Sequence, residues 1–162
     1  MIERRSLLAG SAVIGVLVYL VGVGRGAAKP NGETFEVVRT DAEWRRRLTP
    51  AQFDVLRRAG TEAPGSSPLD GQFRAGVYSC AGCGLPLYTS NTKFDSGTGW
   101  PSFWAPIDGA IRTTTDNSLL MTRTEVHCRQ CGGHLGHVFH DGPPPTGLRY
   151  CMNGVALSFK PA

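Results

Sequence analysis

Gly76-Val77-Tyr78-Ser79-Cys80-Ala81-Gly82-Cys83-Gly84 is where the chain changes character. Val77, Tyr78 and Ser79 read as a short strand, and the run ends in a Cys-x-x-Cys turn followed by glycine. The same turn returns at Cys128-Arg129-Gln130-Cys131-Gly132. Two such turns offer four thiolates to one tetrahedral ion, so Cys80, Cys83, Cys128 and Cys131 are read as a structural zinc site, one Zn2+ per chain. The glycines would let backbone amides approach the sulfurs. The stretch between the pairs exceeds the roughly fifteen to twenty residues of a simple zinc ribbon, so much of a β-domain must be inserted between them. In an oxidising compartment the same pairs become disulfides or redox-active dithiols, a competing reading at this point. His127 adjoins the second pair. Because four thiolates fill the site, it is read as a surface residue.

Downstream, short runs rich in Val, Tyr, Phe, Thr and Ile are broken by Gly, Pro, Asn and Asp. Strands are expected within 111–115, 119–126 and 148–159. No helical pattern lies between them, so the sheets should be antiparallel. Gly142-Pro143-Pro144-Pro145-Thr146-Gly147 reads as a rigid turn into the last long strand, and no internal repeat is visible. Upstream, Thr40-Asp41-Ala42-Glu43 has capping-box form and starts a helix with Trp44 and Leu48 on one face. Thr49-Pro50-Ala51-Gln52 repeats that logic, with Phe53 and Leu56 as the apolar stripe and Gly60 as the stop. The fold class is therefore mainly β: two antiparallel sheets, behind a short N-terminal helical pair and held by a four-cysteine site.

The first residues read differently again. Glu3-Arg4-Arg5-Ser6-Leu7-Leu8 precedes an uncharged, Gly-rich apolar run ending at Gly24, which has the form of an export signal. The adjacent arginines resemble a twin-arginine signal, although Leu7 stands where that pattern prefers Phe. An ordinary secretory signal is the alternative. About eighteen helical residues at 1.5 Å each span roughly 27 Å, close to the roughly 30 Å hydrocarbon layer, so a retained membrane anchor also fits. The expected division is 1–28 signal or anchor, 29–39 linker and 40–162 one domain, as 162 residues with 41% hydrophobic content suggest. The product would be periplasmic or anchored to the periplasmic face of the inner membrane. Export of a folded protein would let zinc load in the cytoplasm first. The formal charge of +4 is spread along the chain, which argues against a nucleic-acid partner. A monomer is expected.

The fifth cysteine sits in Arg149-Tyr150-Cys151-Met152-Asn153. Read as a strand, this places Arg149, Cys151 and Asn153 on one face. A free thiol near pKa 8.5 is only about 3 per cent thiolate at pH 7. A neighbouring guanidinium is expected to raise that fraction. A buried structural cysteine is the competing reading. His134-Leu135-Gly136-His137-Val138-Phe139 supplies two imidazoles that a regular strand would put on opposite faces, so a bulge at Gly136 is expected to bring them together for acid/base work or substrate binding. Metal ligation by the pair lacks a third ligand at suitable spacing. Phe94-Asp95-Ser96-Gly97-Thr98-Gly99-Trp100-Pro101-Ser102-Phe103 reads as an aromatic loop in which Trp100 could wall a pocket for an apolar methyl group, while Phe94, Phe103 and Trp104 read as core.

Lys93 to Gly97 running into Gly99 to Phe103, then His134 to Phe139 with Asp141-Gly142-Pro143, then Arg149 to Asn153, together resemble the type B methionine sulfoxide reductases, the R-epimer enzymes. The resemblance covers about Thr40 to Pro161 in order. It implies a tent of two antiparallel sheets, zinc on the four paired cysteines, and Cys151 as the nucleophile that reduces methionine (R)-sulfoxide in damaged proteins through a sulfenic acid. It also implies that His134 and His137 hold and protonate the sulfoxide oxygen, that Asn153 and Arg149 support the thiolate, that Trp100 and Phe139 contact substrate, and that Asp141 stands behind them. Two positions depart from the pattern: Thr98 stands where many members carry a resolving cysteine, and Gly154 where Ser usually follows the Asn. Without the first, an external thiol or thioredoxin-like donor must recycle Cys151. The alternative from another class is a non-catalytic zinc-clipped β-module that binds an oxidised or aromatic ligand at Trp100, with no need of Cys151.

Overall fold

The computed structural model describes residues 32–162, so the expected export signal or anchor at 1–28 lies outside the described residues. Helix α1 (Asp41–Arg47) begins at Thr40, whose hydroxyl accepts from Glu43 N while the Glu43 carboxylate accepts from Thr40 N. Helix α2 (Pro50–Arg58) repeats this box with Thr49 and Gln52. Each box satisfies two amides that a helix start would otherwise leave unpaired. The stop of α2 comes one residue before the expected Gly60: Ala59 takes the left-handed conformation, at φ 55°.

Nine strands follow, and all their pairings are antiparallel. One sheet is β1 (Gly76–Cys80) between β2 (Pro86–Thr89) and β9 (Leu157–Pro161). The other runs β3 (Lys93–Phe94), β4 (Ser102–Phe103), β8 (Arg149–Met152), β7 (His134–Phe139), β6 (Arg123–Cys128), β5 (Ile111–Asp116). Fold class and the helical pair are as the sequence suggests. Two strands differ. The one expected from Leu119 starts at Arg123, after a 3-10 turn at Ser118–Leu120. The one expected over 148–159 is two: β8 ends at Met152, a 3-10 turn over Gly154–Ala156 redirects the chain, and β9 joins the other sheet.

The core fills the space between the sheets and helices. Tyr88 stacks on Phe103 at 4.3 Å between ring centroids, and its hydroxyl donates to Met152 Sδ at 3.1 Å. Trp44, Phe53 and Leu56 from the helices are buried with them. Leu56 reaches between the two Cys turns, where a side chain on Gly133 would run against it.

Residues 33–37, within the stretch read as a linker, pack along the second Cys turn. Val37 N donates to Gln130 O at 2.9 Å, Glu36 pairs with Arg129 at 2.5 Å, and the Phe35 ring lies edge-on to His127. His127 is consequently not a surface residue. It is fully buried, with Nε2 3.0 Å from Glu33, because this arm covers the face of β6 that the sequence left open to water.

Candidate active site

The two Cys turns meet where β1 and β6 end. The four Sγ atoms of Cys80, Cys83, Cys128 and Cys131 all lie within 4.8 Å of one another, with cross-turn pairs at 3.7 Å (Cys80, Cys131) and 3.5 Å (Cys83, Cys128). A tetrahedral zinc thiolate with bonds near 2.3 Å has sulfurs about 3.8 Å apart, so the donor set fits such an ion in number, type and spacing. Gly84 and Gly132 take left-handed backbone, at φ 81° and 66°, and their amides close the turns on the carbonyls of Cys80 and Cys128 at 2.8 Å. The amide that serves a sulfur is that of Leu85, at Cys83. Hydrogen bonds from the neighbouring sulfurs push Cys83 and Cys128 towards thiolate. Arg57 donates to the Cys131 carbonyl at 3.0 Å and ties α2 over the cluster. All five cysteines are free of disulfides.

Cys151 lies elsewhere, in β8, opposite Ser102 of β4 and His137 of β7. It lines a pocket of about 140 Å³ together with Thr61, Trp100, Arg123, Gly136, His137, Phe139 and Asn153. A larger groove of about 750 Å³ between α2, residues 61–69 and β9 holds no cysteine or histidine, whereas the smaller pocket holds one of each. Gly136 is necessary to it. A Cβ at that position would strike the Cys151 carbonyl and approach Met152. The β6–β7 pairing shifts by one between Val126 and His127, a bulge that brings the His134 and His137 rings to 5.3 Å, T-shaped, as the spacing around Gly136 suggests.

The two imidazoles are placed unequally. His137 lines the pocket, with Nε2 2.8 Å from Asp116 Oδ2. Burial lowers its pKa, and the Asp116 hydrogen bond only partly offsets that. Backbone and side-chain hydrogen bonds from Ser118, with His137 and Arg123, hold the Asp116 carboxyl well below the usual range. His134 is not among the lining residues. It is buried behind His137, with Nδ1 2.9 Å from Glu125 Oε1.

Arg149 also stands behind the lining. Its guanidinium grips Asp141 with two bonds of 2.9 and 2.8 Å and covers the Phe139 ring at 4.5 Å. Thr98 Oγ1 is 4.0 Å from Cys151 Sγ. The expected gain in thiolate fraction is absent in this geometry. Burial raises the Cys151 thiol above its ordinary value, and the Thr98 hydroxyl and Arg149 charge only partly counter it. Desolvation of the sulfur outweighs the guanidinium, and the Asp141 carboxylate beyond Arg149 adds a smaller push in the same direction as burial.

Asn153 falls after β8 instead of within it. Its Nδ2 donates to Leu135 O at 3.1 Å, and its Oδ1 accepts from Glu62 N at 3.0 Å. Glu62 is the residue that sequence reasoning missed most completely. Its carboxylate accepts from the amides of Gly154 and Val155, and its carbonyl accepts from Trp100 Nε1 at 3.2 Å, which orients the indole wall. It lies in an irregular segment with no motif to mark it. Asp116 and Arg123 were missed as well, because only the β5–β6 register sets their opposite charges across from each other. Ser67 holds the space that a side chain on Gly154 would need.

A thiol set among aromatic and imidazole walls, apart from a four-sulfur clip, is the layout of a thiol-dependent enzyme. Residues 48–161 match the SelR domain model. The proteins named "Peptide methionine sulfoxide reductase MsrB" from Pseudomonas putida (strain W619), Agrobacterium fabrum and Leifsonia xyli are 58%, 52% and 54% identical to this chain. Each aligns with 78% of it, and the alignments cover 96%, 94% and 93% of those relatives. The chain belongs to the SelR-domain, or MsrB, family.

Proposed function

We propose that the protein reduces methionine (R)-sulfoxide in proteins to methionine, with Cys151 as nucleophile. The observation that carries this reading is the position of Cys151 in one small pocket with Trp100, His137 and Phe139. Trp100 and Phe139 offer apolar walls for the methyl group and side-chain stem. Cys151 Sγ attacks the sulfoxide sulfur as its oxygen takes up a proton. The oxygen ends on Cys151 as a sulfenic acid, and methionine leaves as the thioether. His137, the imidazole that lines the pocket beside Cys151, holds the oxygen and supplies that proton. His134, fixed by Glu125, positions His137 from behind, and Asn153 shapes the pocket through its backbone bonds.

Arg149 steadies the thiolate as it forms, and Asp141 orients the guanidinium. Zinc on Cys80, Cys83, Cys128 and Cys131 would clip the two sheets together without entering the reaction. That leaves Cys151 with no second thiol beside it, since Thr98 occupies the nearby loop position. Two external thiols, or a thioredoxin-like dithiol, then convert the sulfenic acid to thiol and water and become a disulfide.

The proposal extends to the N-terminus, where Arg4-Arg5 and the apolar run to Gly24 are the basis for export of a periplasmic or anchored enzyme. The test of the reaction is reduction of each sulfoxide epimer with dithiothreitol, combined with intact mass after one turnover without reductant. Turnover of the R epimer alone and a single added oxygen on Cys151 are expected. A disulfide from Cys151 to a clustered cysteine would overturn the mechanism.

A further inference from the structure

The tip of the β5–β6 hairpin, residues 117–122, carries an apolar surface that the reaction does not use. Leu120 is fully exposed and Met121 is 53% exposed, side by side. Leu120 also has positive φ, 59°. A side chain at that backbone conformation carries a cost that Asn or Gly largely avoids, so local energetics favour neither the exposure nor the conformation.

The tip is braced, not loose. Ser118 N donates to Asp116 Oδ1 at 2.9 Å, Thr122 Oγ1 to Asn117 Oδ1 at 3.1 Å, and Arg123 to Ser118 Oγ at 3.2 Å. Its base is the reaction site itself. Arg123 lines the Cys151 pocket and pairs with Asp116 at 2.7 Å, and Asp116 holds His137. The apolar pair therefore precedes by two and three residues an arginine that lines the pocket a sulfoxide side chain would enter. A methionine oxidised within a polypeptide enters with its neighbours attached, and where the oxidised segment comes from a protein interior those neighbours include the apolar residues that interiors are made of.

We propose that Leu120 and Met121 form a docking surface for apolar residues flanking the methionine sulfoxide in the substrate polypeptide, which makes the tip a specificity element for unfolded or exposed apolar segments. This rests on the reductase reading. The occupant follows from Arg123, which lines the pocket and is bonded to Asp116 and Ser118 at the base of the tip.

The test uses the full chain and its variant Leu120→Asn with Met121→Ser; Asn suits the positive φ and both positions are exposed, so folding is retained. Three probes are compared: N-acetylmethionine (R)-sulfoxide, and two acetylated pentapeptides with a central methionine (R)-sulfoxide flanked by leucines or by serines. The wild type is expected to turn over the leucine peptide with kcat/KM about tenfold above the serine peptide. The variant should bring that ratio near one and leave N-acetylmethionine (R)-sulfoxide unchanged. An unchanged ratio overturns the proposal, as does an equal loss on all three probes, which would make the tip a support of the pocket. Loss of self-association in sedimentation, or of binding to anionic phospholipid vesicles, with an unchanged ratio would assign the surface to a second copy or to a membrane and also overturn it. If the wild type reduces none of the probes, the reductase reading itself fails and the proposal falls with it, a result distinct from all the others.

Discussion

Cys80 ends a strand of the three-stranded sheet, and Cys151 lies inside a strand of the six-stranded one. Cys80 is buried, with three other sulfurs within 4.8 Å. Cys151 is partly exposed in a pocket, and the groups that act on its sulfur are a threonine hydroxyl and a guanidinium. The same side chain is thus set up for two kinds of work. Several converging sulfurs with little room for water make a metal clip, whereas one sulfur with room for a ligand keeps its lone pair for chemistry.

The sharpest way to break this contrast is to remove one sulfur from each region. Cys80→Ser should abolish zinc binding and most of the fold's stability, because apparent zinc energies of roughly 10 to 16 kcal/mol match or exceed the roughly 5 to 15 kcal/mol of a whole domain. Metal analysis with thermal melting checks it, and a metal-free variant with unchanged melting would erase the distinction. Cys151→Ser should do the reverse. Sulfoxide reduction falls by at least ~10³-fold, while zinc content and melting temperature stay as in the wild type.

Smaller effects sharpen the reactive side. Asp116→Asn should lower kcat/KM at pH 7 by about tenfold and move the acid-favoured limb of the pH profile downward. The sign follows from His137: burial already lowers its pKa, and Asp116 is what pulls it back up. Without that carboxylate the protonated imidazole persists only at lower pH. Arg149→Met has the smallest expected effect. Alkylation of Cys151 by iodoacetamide, which follows the thiolate, should already rise at higher pH than for an unperturbed thiol, because burial raises Cys151. Removing the guanidinium should move that rise further up and slow alkylation at pH 7 by roughly threefold. An unchanged or faster rate would show that Arg149 does not act on the sulfur.

What could be read in advance was local. The capping boxes at Thr40 and Thr49 and the two Cys turns are each specified within a few residues, so their geometry follows from sequence. The break between β8 and β9 is not local: Leu148 to Phe159 is strand-like throughout, and what turns the chain is Glu62 accepting from the amides of Gly154 and Val155. His127 was misplaced for the same reason, since its cover comes from residues more than ninety positions away. In the pocket, Cys151, Trp100, His137, Phe139 and Asn153 were legible from motif and type. Arg123 and Asp116 became visible only through the register that sets them opposite each other.

The arm at residues 33–37 also decides where tension would act. It is fastened to Arg129 and Gln130, inside the second Cys turn. A pull arriving from the N-terminal side would first meet these contacts, beside the four cysteines that the two sheets bring together. In the larger sheet the turn's strand β6 is separated from β8 by β7. The arm's contacts therefore gather at the four-cysteine cluster, and none of its residues lines the Cys151 pocket.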